Sequence, residues 1–271
     1  MKQATLIRNL KLFNAKERDH LMRAAYLGVD TSTYMEAKRF LSDDFDKKLK
    51  PYAIDMGLDD TAHCVFAGMD YHLDWLFAAL WVTANKPDWN GEEFRVPMEI
   101  HKNMGEIKGL HSDFRPVTGT QEDLDLLVVY SDGKKLAMLF IEAKGSADFD
   151  QVQLARKLIR LDRIISHNET CVPAEIGDLK NRYRLILAAP KQPKFECCLS
   201  FARKLPKQFG DMHTALIEHQ SKLGEGMHFM QLTEFPTTLY AVKRTPKKTS
   251  TNKNDYTHWI LEERNPKKDA T

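Results

Sequence analysis

"LDLLVVYSDGKKLAMLFIEAKG", residues 124–145, consists of two apolar runs joined by a short polar segment. Each run has the length and residue content of a buried strand, and Asp132-Gly133 is a strong hairpin signal. Ionisable residues nevertheless lie at the ends of the runs, Asp125 at the start of the first and Glu142 and Lys144 at the end of the second. Such groups are costly inside a sheet unless they are paired or bound to a metal ion. The hairpin therefore predicts a functional site at these ionisable residues.

The expected register of this hairpin follows from a two-residue turn at Asp132 and Gly133. The resulting pairs are Ser131 with Lys134, Asp125 with Phe140, and Asp123 with Glu142. Asp125 and Glu142 then become diagonal neighbours on one side of the sheet, with Cα atoms about 7–8 Å apart. Lys144 shares that side because side chains alternate along a strand.

Two carboxylates that converge in this way can share one cation, and oxygen ligands suit Mg²⁺ or Mn²⁺. A lysine beside the metal could orient or deprotonate a bound water, which suits phosphodiester hydrolysis. The alternative is a solvated strand end where Asp125, Glu142 and Lys144 make only structural ion pairs.

Other elements follow from periodicity and from start and stop signals. Three helices are expected before residue 60, one from about Asn14 to Gly28, one over Ser32–Leu41 and one beginning at Ser42. The next expected elements are a buried helix at Val65–Asn85, strands at Phe94–Ile100, Leu124–Tyr130 and Lys135–Ala143, a helix from Phe149 to about His167, and a strand at Tyr183–Ala189. Later expectations are helices at Phe201–Gly210 and His213–Leu223 and strands at His228–Leu232, Thr238–Val242 and His258–Glu262.

Composition indicates a globular protein. The chain has 271 residues, of which 42% are hydrophobic, and its net charge of +2 does not by itself indicate a polyanion partner. No apolar stretch approaches the roughly 18 residues of a membrane span, and the first residues lack a signal-peptide pattern. A cytoplasmic protein without membrane association is expected. The four cysteines lack metal-binding spacing and are expected to be buried free thiols.

The pattern of Asp125, then LLVVY, a turn, LAMLFI, Glu142, Ala and Lys144 resembles the core motif of the PD-(D/E)XK, or restriction-endonuclease-like, nuclease superfamily. The resemblance implies an α-β-β-β-α-β core, which agrees with the element order expected from residue 65 onward. The expected fold class is thus α/β (α+β) with a mixed central sheet. Its nuclease-like core covers residues 61–192, between an N-terminal helical extension over 1–60 and a C-terminal α+β extension over 193–271.

The resemblance also implies roles for individual residues. Asp125 and Glu142 would ligate a catalytic Mg²⁺, for which Mn²⁺ would substitute, and Lys144 would assist the attacking water. A further acidic ligand on the first core helix would be Asp74 or, less favoured, Asp70, which are four residues apart. A glutamine on the helix after the motif would be Gln153, with Gln151 as the alternative.

Positive charges on and beyond this helix predict phosphate contacts. They are Arg156, Lys157, Arg160, Lys247 and Lys248. The expected function is Mg²⁺-dependent hydrolysis of phosphodiester bonds in nucleic acid, DNA rather than RNA, by a monomer, a homodimer or a larger complex. The alternatives are a catalytically silent nucleic-acid-binding or scaffold module with the same fold, and an enzyme acting on small phosphorylated molecules.

Overall fold

A computed structural model describes residues 2–13, 40–86, 88–93, 122–144, 149, 151–166, 179–190, 227–232, 239–246 and 256–264. Its helices are α1 (Lys2–Phe13), α2 (Asp43–Asp55), α3 (Leu73–Asn85) and α4 (Gln151–Ser166), with a short 3₁₀ turn at Leu179–Asn181. Its strands are β1 (His63–His72), β2 (Asp123–Ser131), β3 (Leu136–Ala143), β4 (Tyr183–Ala189), β5 (Met227–Gln231), β6 (Leu239–Pro246) and β7 (Tyr256–Arg264). The expected mixed α/β class is confirmed.

Five of the strands form one sheet in the order β1-β2-β3-β4-β5, and β6 pairs with β7 in a second, antiparallel sheet. Strands β1, β2 and β3 are antiparallel neighbours. Two backbone hydrogen bonds of 2.9 Å join β3 to β4, from Met138 to Arg182 and from Lys144 to Ala188. Both partners advance by six residues in the same direction, so this pair is parallel. The five-stranded sheet is therefore mixed.

The apolar runs of the hairpin form β2 and β3 at the centre of this sheet, where residues 127–130 and 136–141 are all buried. Strands with such continuous burial are covered by helices on both faces. Tyr130 of β2 donates a hydrogen bond of 2.7 Å to Asp46 of α2. On β3, Glu142 contacts Lys157 of α4. Tyr130 pairs with Ala137, and Glu142 is five residues further along β3, so alternation puts the two helices on opposite faces.

The chain divides into two compact units. The first comprises Met1–Glu142, Asp150–Ile186 and Phe195–His228, and it contains β1, β2, α1, α2, α3 and α4. The second comprises Ala143–Phe149, Leu187–Lys194 and Phe229–Thr271, and it contains the β6–β7 pair.

The prediction of one buried helix over Val65–Asn85 is wrong. Its first part belongs to β1, and only Leu73–Asn85 is helical. Asp70 lies in β1 with a positive φ of 47°, so it does not share a helical face with Asp74. Eight residues of α3 are buried, so this helix is as apolar as the strand before it. The sequence pattern therefore did not separate the two elements.

The predicted hairpin register is also wrong, by two residues. Ser131 pairs with Leu136 rather than Lys134, and Leu126 pairs with Ile141. The Asp132 carboxylate accepts hydrogen bonds from the backbone N–H groups of Lys134 and Lys135, at 2.8 and 2.7 Å. The chain therefore turns around the Asp132 side chain through four residues, and Gly133 supplies the positive φ of 85° that this loop needs.

The other predictions of secondary structure have different outcomes. The helix predicted to begin at Ser42 is confirmed, since the Ser42 hydroxyl caps α2 by accepting from the N–H of Phe45. The strands expected near residues 228, 238 and 258 are confirmed as β5, β6 and β7. Strand Phe94–Ile100 and the helices at 14–28, 201–210 and 213–223 lie outside the described residues, as does nearly all of Ser32–Leu41. Within the described ranges, no helix is both long and apolar enough to cross a bilayer.

Candidate metal centre and its counter-ions

The register of the hairpin, continued one step beyond its last pair, would put Asp125 across from Glu142. Leu126 and Ile141 are the last residues paired in β2 and β3, and the next step of the same register would join Asp125 to Glu142. Opposed residues point to the same side of a sheet, with Cβ atoms about 4.5–5.5 Å apart. This is closer than the predicted diagonal arrangement. Asp125 is half-buried and Glu142 is 5% exposed.

Lys157 of α4 provides the positive charge next to Glu142. Its Nζ lies 2.5 Å from Glu142 Oε1 and donates a second hydrogen bond of 2.5 Å to the Asp123 backbone carbonyl. Lys157 is only 3% exposed. A buried carboxylate needs such a partner, because ionised groups lose the solvation of water.

Arg160, one helical turn further along α4, connects two other acids. Its guanidinium forms ion pairs with Asp74, in the first turn of α3, and with Glu122, just before β2. The Arg160–Glu122 distance is 3.1 Å, and Arg160 is 1% exposed. Lysine and arginine three residues apart share a helical face, so α4 presents both cations to the protein interior.

His72 joins this group from the end of β1. It lies opposite Asp123 in the β1–β2 register, and its Nδ1 is 3.1 Å from Asp123 Oδ1. The His72 ring also packs on Trp75, with 4.2 Å between the ring centroids.

The contacts define a set of side chains that we call the counter-ion cluster. Its members are His72, Asp74, Glu122, Asp123, Glu142, Lys157 and Arg160. The cluster thus contains four carboxylates and two basic side chains besides His72, which gives it a formal net charge of −2 with His72 counted as neutral. Asp125 lies next to it by register.

Asp70 lies at the same end of the β1–β2 pair as His72 and Asp123. Its side chain cannot be assigned to a face by alternation. The β1–β2 register is the same before and after Asp70, which puts its backbone across from Asp125. Phe66 and Tyr71 are five residues apart yet make an edge-to-face ring contact at 5.6 Å. Regular alternation would separate them, so alternation is broken between these two residues, in the segment where Asp70 has a left-handed φ.

The remaining predicted site residues are distributed differently. Lys144 is half-buried and belongs to the second compact unit, where its backbone N–H bonds to Ala188. Gln153 is exposed and Arg156 is half-buried, both on α4. Lys247 and Lys248 lie outside the described residues, and the structure describes no side chain for Gln151.

The sequence predicts that Lys157 and Arg160 contact phosphate, and no observation on the described residues tests that prediction. Both side chains are buried in ion pairs with acids of the same unit. The alternation of apolar and basic residues in α4 does not reveal this, because it fits a solvated face equally well. Sequence reasoning also missed Glu122 and His72. The acidic pair of Glu122 and Asp123 directly before a buried strand was an available signal for the first.

The donor set has the right chemistry for a hard divalent cation but is not complete. Carboxylate oxygens of Asp125 and Glu142 are ligands that Mg²⁺ accepts, and Mg²⁺ commonly uses only one or two carboxylates. Among the residues that the structure describes, no group of three or more His, Cys, Asp or Glu side chains is arranged to hold a metal ion. A metal at this position would therefore rely on few protein ligands and on water or substrate oxygens.

Comparisons with known proteins assign neither a family nor a function to this chain. No protein-family model, curated protein or solved structure matches this chain.

Proposed function

We propose that this protein is a Mg²⁺-dependent nuclease that hydrolyses phosphodiester bonds, in DNA rather than RNA, with Asp125 and Glu142 as its acidic ligands. The observation that carries the proposal is the β2–β3 register, which ends at Leu126 and Ile141 and would oppose the two acids if continued by one step. Two carboxylates on one side of a sheet, at the ends of neighbouring strands, are a suitable arrangement for one divalent ion.

The order of elements supports the same proposal. Within the predicted core over 61–192 the described elements begin with β1 rather than with a helix. The α-β-β-β-α-β order of the superfamily named above is obtained when α2, which precedes that range, counts as the first helix and α3 as an insertion between β1 and β2. The three antiparallel strands are adjacent, and β4 is parallel to β3.

A bound Mg²⁺ would stabilise charge on the phosphate and lower the pKa of a water ligand. The other proposed roles belong to residues of the protein. Glu142 and Asp125 supply negative charge that holds the cation, and the excess negative charge of the counter-ion cluster favours its binding. Asp74 has a positioning role, since its ion pair with Arg160 fixes α4 against α3. Lys144 remains the proposed residue that supports the nucleophile, on the sequence motif alone.

A second candidate function is a catalytically silent nucleic-acid-binding or scaffold module with the same fold. The observation that favours it is the ion pair of Lys157 with Glu142, which already neutralises one of the two acids without a metal. Cytoplasmic location and the absence of membrane association belong to both proposals.

A cleavage assay distinguishes the two functions. The purified chain is incubated with supercoiled, linear and single-stranded DNA and with RNA, in Mg²⁺, in Mn²⁺ and in EDTA. We expect metal-dependent cleavage of DNA that Glu142→Gln and Asp125→Asn each reduce at least a hundredfold, while circular dichroism stays unchanged. Asp44→Asn is the matched control, because it removes a carboxylate that is 92% exposed in α2.

The outcomes have different meanings. DNA binding without cleavage in either metal would favour the silent module. Cleavage that survives in both carboxylate variants would refute the proposed ligands. Absence of any polynucleotide binding at low salt would point to a small phosphorylated substrate.

A further inference from the structure

The segment that follows α3 contains the only Asn-Gly dipeptide of the sequence, Asn90-Gly91. Both residues are exposed, and Gly91 has a positive φ of 103°. A Cβ atom added at Gly91 would have no atom within 4 Å, so the space around this residue is open. Because glycine has no side chain, nothing on the residue itself shields its backbone nitrogen.

The Asn90 side-chain amide is held against the backbone that follows it. Its Oδ1 accepts a hydrogen bond of 3.2 Å from the Glu92 N–H, and its Nδ2 donates one of 3.2 Å to Glu92 Oε1. The first bond closes a turn in which the side-chain carbonyl lies over the intervening peptide, and that peptide contains the Gly91 nitrogen. A hydrogen bond to a carbonyl oxygen also favours attack on the carbonyl carbon, since negative charge develops on the oxygen.

We propose that Asn90 is a site of spontaneous deamidation and that its turn is preorganised for this reaction. The Gly91 backbone nitrogen gives up its proton and attacks Asn90 Cγ, which forms a new C–N bond and a five-membered succinimide ring. The bond from Cγ to Nδ2 breaks, and Nδ2 leaves with that proton as ammonia. Water then opens the ring, either at Cγ to give aspartate or at the main-chain carbonyl to give isoaspartate. The net reaction consumes one water and releases one ammonia, and it is independent of the proposed nuclease activity.

The product alters a contact between this segment and α1. Trp89 stacks on Phe13 of α1, with 5.4 Å between the ring centroids and 11° between the planes, and Arg8 donates a hydrogen bond to the Trp89 carbonyl. The Trp89 indole N–H donates a hydrogen bond of 2.8 Å to the Glu92 carbonyl. Deamidation of Asn90 replaces the donor Nδ2 with a carboxylate oxygen facing Glu92 Oε1, and like charges repel each other. The turn that fixes Trp89 is therefore weakened.

Peptide mapping by mass spectrometry tests the site on the full, folded chain after incubation at mildly alkaline pH. Asn85 is the internal control, because it is exposed, is followed by Lys86, and its amide donates a hydrogen bond of 2.9 Å to the Trp81 carbonyl. We expect deamidation at Asn90 to be faster by about tenfold or more, since glycine leaves the attacking nitrogen unhindered. Aspartate and isoaspartate should both appear at position 90.

Unfolding tests whether the turn assists the reaction. The same chain is incubated in guanidinium chloride, where the hydrogen bond from the Glu92 N–H to Asn90 is lost. A reference peptide with the sequence DWNGEE, incubated in both solutions, corrects for the effect of the denaturant on the chemistry. We expect Asn90 to react at least as fast in the folded chain as in the unfolded chain.

Two variants test the effect on the contact with α1. Asn90→Asp has the charge of the product, whereas Asn90→Ser keeps an oxygen acceptor for the Glu92 N–H without a charge. We expect the melting temperature of Asn90→Asp to be lower than that of Asn90→Ser.

Three results would overturn the inference at different steps. Equal rates at Asn90 and Asn85 would show that Asn90 is not a deamidation site. A slower reaction in the folded chain than in the unfolded chain would show that the turn protects Asn90 rather than preorganising it. Equal melting temperatures of the two variants would show that the new charge does not weaken the turn.

Discussion

Replacing Arg160 with methionine is expected to destabilise the first unit strongly. The side chain is 1% exposed and joins Asp74 to Glu122, so its removal leaves two carboxylates without their common counter-ion. Breaking a buried ion pair in this way costs about 3–5 kcal/mol. The two acids are 19% and 18% exposed, so water can partly rehydrate them. We therefore expect the lower end of the range, about 3 kcal/mol.

The assay is urea unfolding followed by far-ultraviolet circular dichroism. At an unchanged denaturant slope, the loss should appear as a lower midpoint. Thermal unfolding should shift by about 6–12 °C, since about 1 kcal/mol corresponds to roughly 2–4 °C for a chain of comparable size. A double-mutant cycle with Asp74→Asn should give a coupling energy of about 1–3 kcal/mol, because the two residues are in contact.

An ion pair in α2 provides the control. Lys47 and Asp44 are 3.5 Å apart, but their side chains are 77% and 92% exposed. Lys47→Met should change stability by less than about 0.5 kcal/mol. If Arg160→Met is no more destabilising than Lys47→Met, then Arg160 does not hold α3, β2 and α4 together, and the counter-ion cluster has no structural role.

Three further predictions concern the other face and the loop of the hairpin. Tyr130→Phe removes the hydrogen bond to Asp46 and should cost about 1.5 kcal/mol in urea unfolding. Burial and Asp46 raise the pKa of Tyr130, so this phenol should stay protonated above pH 10 in the folded protein, and ultraviolet titration of Tyr130→Phe should lack one late-ionising tyrosine. Burial acts to raise the pKa of Asp132, but hydrogen bonds from backbone N–H groups lower it overall. The stabilisation from this carboxylate is therefore present above its unfolded pKa near 3.8 and is lost as the pH falls through its lower folded pKa, so the difference in urea midpoint between wild type and Asp132→Asn should shrink between pH 6 and pH 3. Gly133→Ala should cost about 1 kcal/mol through its positive φ alone, since no atom lies within 4 Å of the added methyl group; an unchanged midpoint would contradict this.

Local patterns in the sequence were sufficient to predict β2, β3, β4 and α4. Their apolar runs have strand or helix length, and Asp132-Gly133 marks the turn between the first two. The merged helix at Val65–Asn85 failed for a physical reason. Buried strands and buried helices are both apolar throughout, so periodicity does not separate them. The boundary at His72 depends on pairing with Asp123, a contact between residues distant in sequence.

The candidate site was predictable only in part. The predicted register was wrong by two residues, and side chains alternate with a period of two. The inference that Asp125 and Glu142 share one side of the sheet was therefore the same for a two-residue and a four-residue loop. The direction of Lys157 and Arg160 was not predictable, because their partners lie 15 and 86 residues away. A basic helix beside acidic strand ends has two electrostatically reasonable orientations, towards solvent or towards those acids.

The inward orientation of α4 changes what distinguishes a nuclease from a silent module. Both would keep Asp125 and Glu142 on the same side of the hairpin, so the presence of these acids does not separate them. The difference is the cation that neutralises them. In a silent module the ammonium of Lys157 is sufficient, and its removal leaves a buried charge that destabilises the fold. In a metal-dependent nuclease a divalent ion bound by these acids would supply positive charge instead, so added Mn²⁺ should restore stability that Lys157→Gln loses.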